Sequence, residues 1–460
     1  MKTTSVRVAL VGCFLFTAMQ SAIAGGERTN VRGVGMGRTF VASSKGLDAI
    51  GINPANLAIK DDNVTISLVP VGVHAGSDFF TYGLYNKYFT GVETEAGRVA
   101  TYLDDAAKKE ILDMFDGGVG SVSADVSARL FGLSLQFESI GGFAFTITDQ
   151  ISAVAHVPKQ YVEFALYGNQ PNSVYDFSAT GAEASWLREY ALSFGGTIPH
   201  PGFLDWTSLG ASIKIVQGFG YFRFGDFNTT LQTGEDGTLT GHVSYQSTFA
   251  GKDPNNGFSI GVFGMPVAGQ GTGFDLGLAG GTTSGLTFGI SITDIGKVNW
   301  EQNIELRSAD TSLVVDDPQQ VSDGDAIRHA MEGKTKKGEE FSTNLPTTLR
   351  FGVAMQVEKF VDWVPGELVF GLDFNQGLVD GPGSTTKGRI STGIEWKLLK
   401  FLPIRSGVSF GGTDRMNYAF GFGINLGFFD LDFASENMEL LWAPDKFSHG
   451  SVAVGTRFRF

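Results

Sequence analysis

Two stretches of this 460-residue sequence, "GFSIG" at 257–261 and "GVSFG" at 407–411, have the Gly-x-Ser-x-Gly spacing of a nucleophile elbow. That chemistry needs the serine on a sharp strand-to-helix turn, with a histidine and a carboxylate brought to it by the fold. Both stretches instead sit inside runs of alternating small and large residues, which produce the motif by chance. The six histidines (His74, His156, His200, His242, His329 and His449) are scattered without metal-type spacing. Asp316, Asp317, Asp323 and Asp325 lack the spacing of a calcium loop and read as a solvated acidic loop. "GVGMGR" at 33–38 is preceded by no strand and followed by no Lys-Ser/Thr pair, so it is not a phosphate loop. The expectation is a protein that is not an enzyme, with no catalytic, cofactor-binding or metal-ligating residues.

The first residues, "MKTTSVRVALVGCFLFTAMQSAIA", have the layout of a secretory signal peptide. Lys2 and Arg7 give a positive start, Val8 to Met19 an apolar stretch, and Ala22-Ile23-Ala24 a small-residue cleavage site. A cut at Cys13, in the lipobox-like "LVGC", would follow an unusually short signal and leave "FLFTAM" exposed, so cleavage after Ala24 is expected. Cys13 is the sole cysteine, which leaves the mature chain without disulfides or thiol chemistry. Loss of Lys2 and Arg7 takes the net charge from −14 to −16. No basic patch emerges, and nucleic acid is excluded as a partner.

The elements that must carry any function are strands. In the last ten residues Val452, Val454, Thr456, Phe458 and Phe460 alternate with Ser451, Ala453, Gly455, Arg457 and Arg459. Successive side chains leave a strand on opposite faces, so this period of two marks a strand. The same pattern recurs at Leu349–Val357, Leu368–Asn375, Arg389–Leu398 and Tyr418–Leu426. One face is consistently large and apolar. The other is rich in Gly, Ala and Ser, and Gly reaches 63 of 460 residues, about twice the ~7% of average usage. A soluble β protein with a wet polar face would carry more Lys and Thr there. A membrane barrel puts the apolar face in lipid and the small polar face in a lumen. After residue 24 no apolar run approaches the ~18 residues of a spanning helix. Trp206, Trp300, Trp363 and Trp442 fall at expected strand ends, where an interfacial aromatic girdle would sit.

The fold class expected is therefore all-β, a transmembrane antiparallel barrel. Roughly fourteen to seventeen strand candidates lie between Val64 and Phe460, and only an even total puts both ends on one rim. Fourteen and sixteen both remain open. Closure requires Val452 to Phe460 to pair alongside the strand near Val64 to Val73, because lipid leaves no edge unsatisfied. Residues 93–116 place Val99, Leu103, Ala107, Ile111 and Phe115 at helical spacing, which predicts an amphipathic helix in a long loop near 86–118. A second long polar loop is expected near 301–346.

Before the first strand, Gly35-Met36-Gly37, Phe40-Val41-Ala42 and Asn53-Pro54-Ala55-Asn56-Leu57 resemble the N-terminal hatch of FadL-like outer-membrane proteins. Arg38-Thr39 replaces the usual Gly-Ala pair, and Asn56 stands where Gly is common. The "NPANLA" form is closest to an uncharacterised branch of that family. The resemblance implies a hatch over residues 25–60, with motif residues Gly35, Gly37, Asn53, Pro54 and Asn56, inside a barrel over 61–460. It also implies a Gram-negative outer-membrane location, a lipid bilayer and the outer-membrane assembly machinery as partners, and Phe458 and Phe460 as the assembly signal. The function it implies is passive uptake of hydrophobic, fatty-acid-like small molecules with no cofactor. The alternative is a non-transport barrel that serves secretion, assembly or surface anchoring.

Physically, Pro54 fixes φ and disfavours a helical Asn53, whose side chain can then accept from a nearby backbone N–H.

Overall fold

The structure is a computed structural model that describes residues 26–95, 97–100, 102–251, 265–315 and 332–460. The signal sequence, "GFSIG" and the cluster Asp316, Asp317, Asp323 and Asp325 lie outside the described residues.

Fourteen antiparallel strands close into a barrel. The first, β1, runs in two pieces, Val64–Ser67 and Val71–Ser77. Then come β2 (Val119–Phe137), β3 (Gly141–Pro158), β4 (Gly181–Ile198), β5 (Trp206–Gly225), β6 (Gly269–Gly281) and β7 (Leu286–Trp300). Strand β8 is again in two pieces, Phe341–Asn344 and Thr348–Gln356. The remainder are β9 (Glu367–Gly377), β10 (Arg389–Leu399), β11 (Leu402–Gly411), β12 (Met416–Asn425), β13 (Phe429–Ser435) and β14 (His449–Arg459). Each pairs with its sequence neighbour, and β14 returns to β1 with Ile66 opposite Phe458 and Val73 opposite Val452. Phe460 and Val64 exchange backbone hydrogen bonds at 2.8 and 2.9 Å, which seals the seam. The expected closure is thus present, and the count is fourteen.

Outward faces carry the apolar residues: on β9, Phe370 and Leu372 are exposed while Gly371, Asp373 and Asn375 are buried inside. One rim holds both ends of the strand set and the short turns, such as Phe137–Gly141 and Gly281–Leu286. The other holds the long connections. A spanning strand needs about 9–11 residues, so β2 to β5, at 18 to 20 residues each, stand well clear of the bilayer on the loop side. There the wall is extended by Leu239–Ala250, which pairs with the end of β5 and with Glu305–Val315.

The long loops depart from the sequence reading in three ways. The helix near 93–116 is shorter, Asp105–Asp113, because Asp104 caps it by accepting from the Ala107 N–H at 2.8 Å. Val99 belongs to a small hairpin before it, while Ile111 and Phe115 are buried as the spacing required. Part of the polar stretch 301–346 is strand rather than loop, since its alternation is satisfied by pairing with Leu239–Ala250. Trp300 is not in an aromatic girdle. It is fully buried in the lumen, beside Tyr221 and Phe341 with its Nε1 donating to Thr343 Oγ1 at 2.9 Å. The local reason is room: Gly218 and Gly269 of neighbouring strands leave space where a Cβ would meet the indole.

Inside the barrel lies the segment of residues 26–59, four short helical turns joined by tight bends. Among the described residues it pairs with no strand. It seats instead against runs of small residues that lie opposite one another on neighbouring strands. Gly142, Gly195, Gly210 and Gly277 lie side by side on β3 to β6. Gly289 and Gly352 do so on β7 and β8, and Gly371, Gly393 and Gly407 on β9 to β11. Gly421, Ala434, Ala453 and Gly72 form a last run from β12 through to β1. A Cβ at Gly210 would overlap the Pro54–Ala55 peptide, one at Gly407 the Met36 carbonyl, and one at Gly72 the Arg28 carbonyl. The small inner face of these strands exists because the backbone of the luminal segment lies directly upon it.

That contrast separates two variants. Phe420→Arg, on the lipid face, should destabilise the whole barrel by roughly 2–4 kcal/mol in a urea or heat-modifiability assay. Gly407→Val should leave the barrel folded but unseat the segment, at a cost of about 1–3 kcal/mol or more from overpacking, read as faster hydrogen exchange confined to residues 26–59. Slowed or unchanged exchange there would refute the seating role.

Candidate functional site

The luminal segment is built by local rules the sequence carries. Asn53 is extended, φ −151° and ψ 99°, and its Oδ1 accepts from the Ala55 N–H at 3.2 Å, with Pro54 opening the turn Pro54–Ala58. Asn53 Nδ2 donates to the Leu278 carbonyl of β6 at 3.2 Å, so the same residue shapes the turn and ties it to the wall. Asn56 joins the two halves of the segment: its Nδ2 donates to the Val41 carbonyl at 2.9 Å and to Ser44 Oγ at 2.8 Å. A glycine there would lose both bonds. Gly35 packs on Gly421 of β12, and Gly37 adopts φ +66° against β11. These five residues therefore occupy one buried body but meet different sectors of the wall.

Charge does the rest of the fastening. Arg28 Nη1 donates to Glu436 Oε2 at 2.7 Å, and its Nη2 lies 3.3 Å from Asp125 Oδ2. Arg38 shares Glu436 through its Nε at 2.5 Å and reaches Asp414 at 2.9 Å. Arg32 bridges Glu395 of β10 (2.7 Å) and Asp48 of the segment itself (3.2 Å). Arg457 of β14 also holds Asp48, at 2.8 Å. Burial raises the pKa of Asp48, but Arg457 and Arg32 outweigh it, leaving the group at about 2. Glu27 lies between Arg350 of β8 and Arg389 of β10. Asp373 of β9 accepts the backbone N–H groups of Phe40 and Val41, the latter at 2.8 Å. A buried charge is stable only when paired and hydrogen-bonded, and β8, β9, β10 and β14, with Asp414 and Glu436 from the connections after β11 and β13, supply the partners.

Above the segment, on the loop side, lies a chamber of about 440 Å³. Glu27, Arg28, Arg38, Ile50 and Gly51 form its floor, and its walls carry Asp125, Gln150, Glu189, Lys214, Asp294 and Asn375 among others. The lining mixes charged and polar side chains with apolar surface. Lys214 is buried among three carboxylates, 3.1 Å from Asp275 and 3.3 Å from Glu189, with Asp294 closer still. A bulge in β7, where Thr293 and Asp294 stand against Asp275 of β6 and Asp294 adopts φ +60°, brings that carboxylate to Lys214.

Ser409 of "GVSFG" is in mid-strand and accepts from Asn417 Nδ2 at 3.2 Å. His74 and His449, far apart in sequence, come together with ring centroids 6.3 Å apart, and His74 Nε2 lies 2.9 Å from Asp414. Phe458 and Phe460 sit at the turn-side end of β14, Phe460 exposed. Sequence reasoning found the Asn-Pro turn but missed Glu27, Arg28, Arg32, Arg38 and Asp48. Their one available signal was a density of charge unusual for a segment so rich in glycine and apolar residues.

Residues 54–435 match a family of unknown function, DUF5723. The chain belongs to that family. No curated protein matches it. Among solved structures it is similar to the Ralstonia pickettii toluene transporter TbuX, at 12% identity and TM-score 0.47 over 95% of this chain and 99% of that one. The P. putida toluene transporter TodX gives 12% and 0.47 over 96% and 99%. A Pseudomonas aeruginosa FadL homologue gives 13% and 0.45 over 96% and 100%.

Glu436 is the test of the electrostatic fastening. Glu436→Gln removes the carboxylate shared by Arg28 and Arg38, and loss of one partner in a buried pair typically costs about 3–5 kcal/mol. Exchange protection of residues 26–40 should fall while the strands stay protected. Loss of protection throughout the barrel would instead make Glu436 a barrel-stability residue.

Proposed function

We propose that this member of DUF5723 is an outer-membrane channel closed by its own N-terminal segment, with the turn side in the periplasm and the loop side outside the cell. The observation that carries the reading is that residues 26–59 fill the lumen without sharing a sheet hydrogen-bond ladder with it. The segment can be displaced without breaking any strand pairing. Passage would be passive, without a catalytic step. Hydrophobic solutes are the class the FadL-like resemblance implies. The charged lining of the loop-side chamber favours solutes that carry a polar group as well as an apolar part. Phe458 and Phe460 serve, in this reading, as the C-terminal signal for insertion.

A second reading, a barrel that docks an assembly or secretion partner, is favoured by the ordered strands standing above the loop-side rim. One experiment separates the two. Deleting residues 28–56 removes no barrel strand, so the protein should fold and show a raised, steady conductance in planar bilayers. Unchanged conductance would overturn the channel reading and favour the docking one. Separately, deleting Phe460 should lower outer-membrane levels in cells far more than it lowers unfolding resistance in detergent. Normal levels would overturn its role as a signal.

A further inference from the structure

The chamber floor contains a cationic corner in which an anion from the protein itself is lodged. Glu27 accepts from Arg350 Nη1 through one oxygen and from Arg389 Nη2 through the other, at 3.3 Å for the second. Arg350 Nη1 also donates to Asn375 Oδ1 at 3.2 Å, which orients that amide with its Nδ2 free. Three buried donors at this corner have no hydrogen-bond partner among the described residues: Arg350 Nε, Arg389 Nε and Asn375 Nδ2. Arg350 and Asn375 are 3% and 5% exposed. All three residues, with Glu27, border the loop-side chamber.

The neighbouring carboxylate makes no ion pair with either arginine. Asp373, between Arg350 and Arg389 in strand order, is engaged by the N–H groups of Phe40 and Val41. Glu27 is, among the described residues, the one carboxylate in ion-pair contact with either guanidinium, and buried donors left over in such a corner call for a partner. Guanidinium forks flanking an amide N–H₂ suit a planar carboxylate, which can accept from both arginines at once. Glu27 belongs to the first described turn of the luminal segment, Gly26–Thr29.

We propose that Arg350, Arg389 and Asn375 form a carboxylate-binding subsite, that Glu27 occupies it as a tethered stand-in, and that a solute carrying a carboxylate displaces Glu27 and frees the start of the segment. This rests on the reading of residues 26–59 as a displaceable plug. A tethered competitor acts at a high effective concentration, so removing its charge exposes the subsite to free anions.

The test is calorimetric titration of the full-length folded protein in detergent with butyrate, and with butyramide as its uncharged counterpart. Butyrate should bind Glu27→Gln at least about fivefold more tightly than the unsubstituted protein, and should quicken hydrogen exchange at residues 26–30 of the unsubstituted protein. Butyramide should do neither. Asn375→Ala, which removes a donor without touching a charge, should weaken butyrate binding severalfold. Equal affinity in the presence and absence of the Glu27 charge, equal binding of butyramide, or an unchanged affinity in Asn375→Ala would each overturn the subsite. Conductance does not enter these readouts. If the 28–56 deletion leaves conductance unchanged while Glu27→Gln gains butyrate affinity, the channel reading fails and the subsite stands.

Discussion

Backbone-to-backbone contact between the luminal segment and the barrel wall is the constraint on which the rest of this molecule depends. A segment of irregular backbone cannot be buried unless its polar groups find partners, and it cannot approach a wall of side chains closely enough to find them. Runs of glycine and alanine on the strands from β3 round to β1 remove those side chains where the segment lies. Asn53 can then reach the Leu278 carbonyl, and Ser291 Oγ the Ile52 carbonyl. Glycine in a strand interior weakens the strand. Here the weakness is offset by closure, which leaves every spanning strand paired on both sides.

The same geometry divides the lumen by chemistry. Along the glycine runs the contacts are apolar and backbone in kind, with Leu57, Met36 and Val34 almost wholly buried. Around and above them the wall bristles with charge, and the segment answers with Arg28, Arg32, Arg38 and Asp48. Shape fixes where the segment sits, and charge fixes its orientation, since Arg28 and Arg38 share Glu436 while Arg32 meets Glu395 on another sector. An arrangement of that kind is specific without being welded in place: paired charges can exchange partners with solvent or solute, whereas a strand added to the sheet could not leave without opening the barrel. Ser391 illustrates the crowding. It faces the lumen, but its Oγ lies 3.5 Å from the Arg38 carbonyl, so it is a contact point for the segment and has no free lumen to receive a larger side chain.

The sequence by itself determined the faces of the wall, the closure and the local shape of the luminal turn. Alternation at Val452–Phe460 placed the apolar residues outward, and the absence of any permissible edge in lipid required the pairing with Val64–Val73 that the structure shows. Asn53 and Pro54 dictated their own turn because both effects act within two residues. Tertiary structure alone decided the number of strands, the burial of Trp300 and the partners of the charged groups. Arg28 and Glu436 are 408 residues apart, and Arg457 and Asp48 are 409 apart. A period of two says which face a residue takes but not at what height it lies or what stands opposite across the lumen. Those follow from the stagger of fourteen strands around a closed wall, and only once the barrel is closed does an arginine near the start of the chain meet a glutamate near its end.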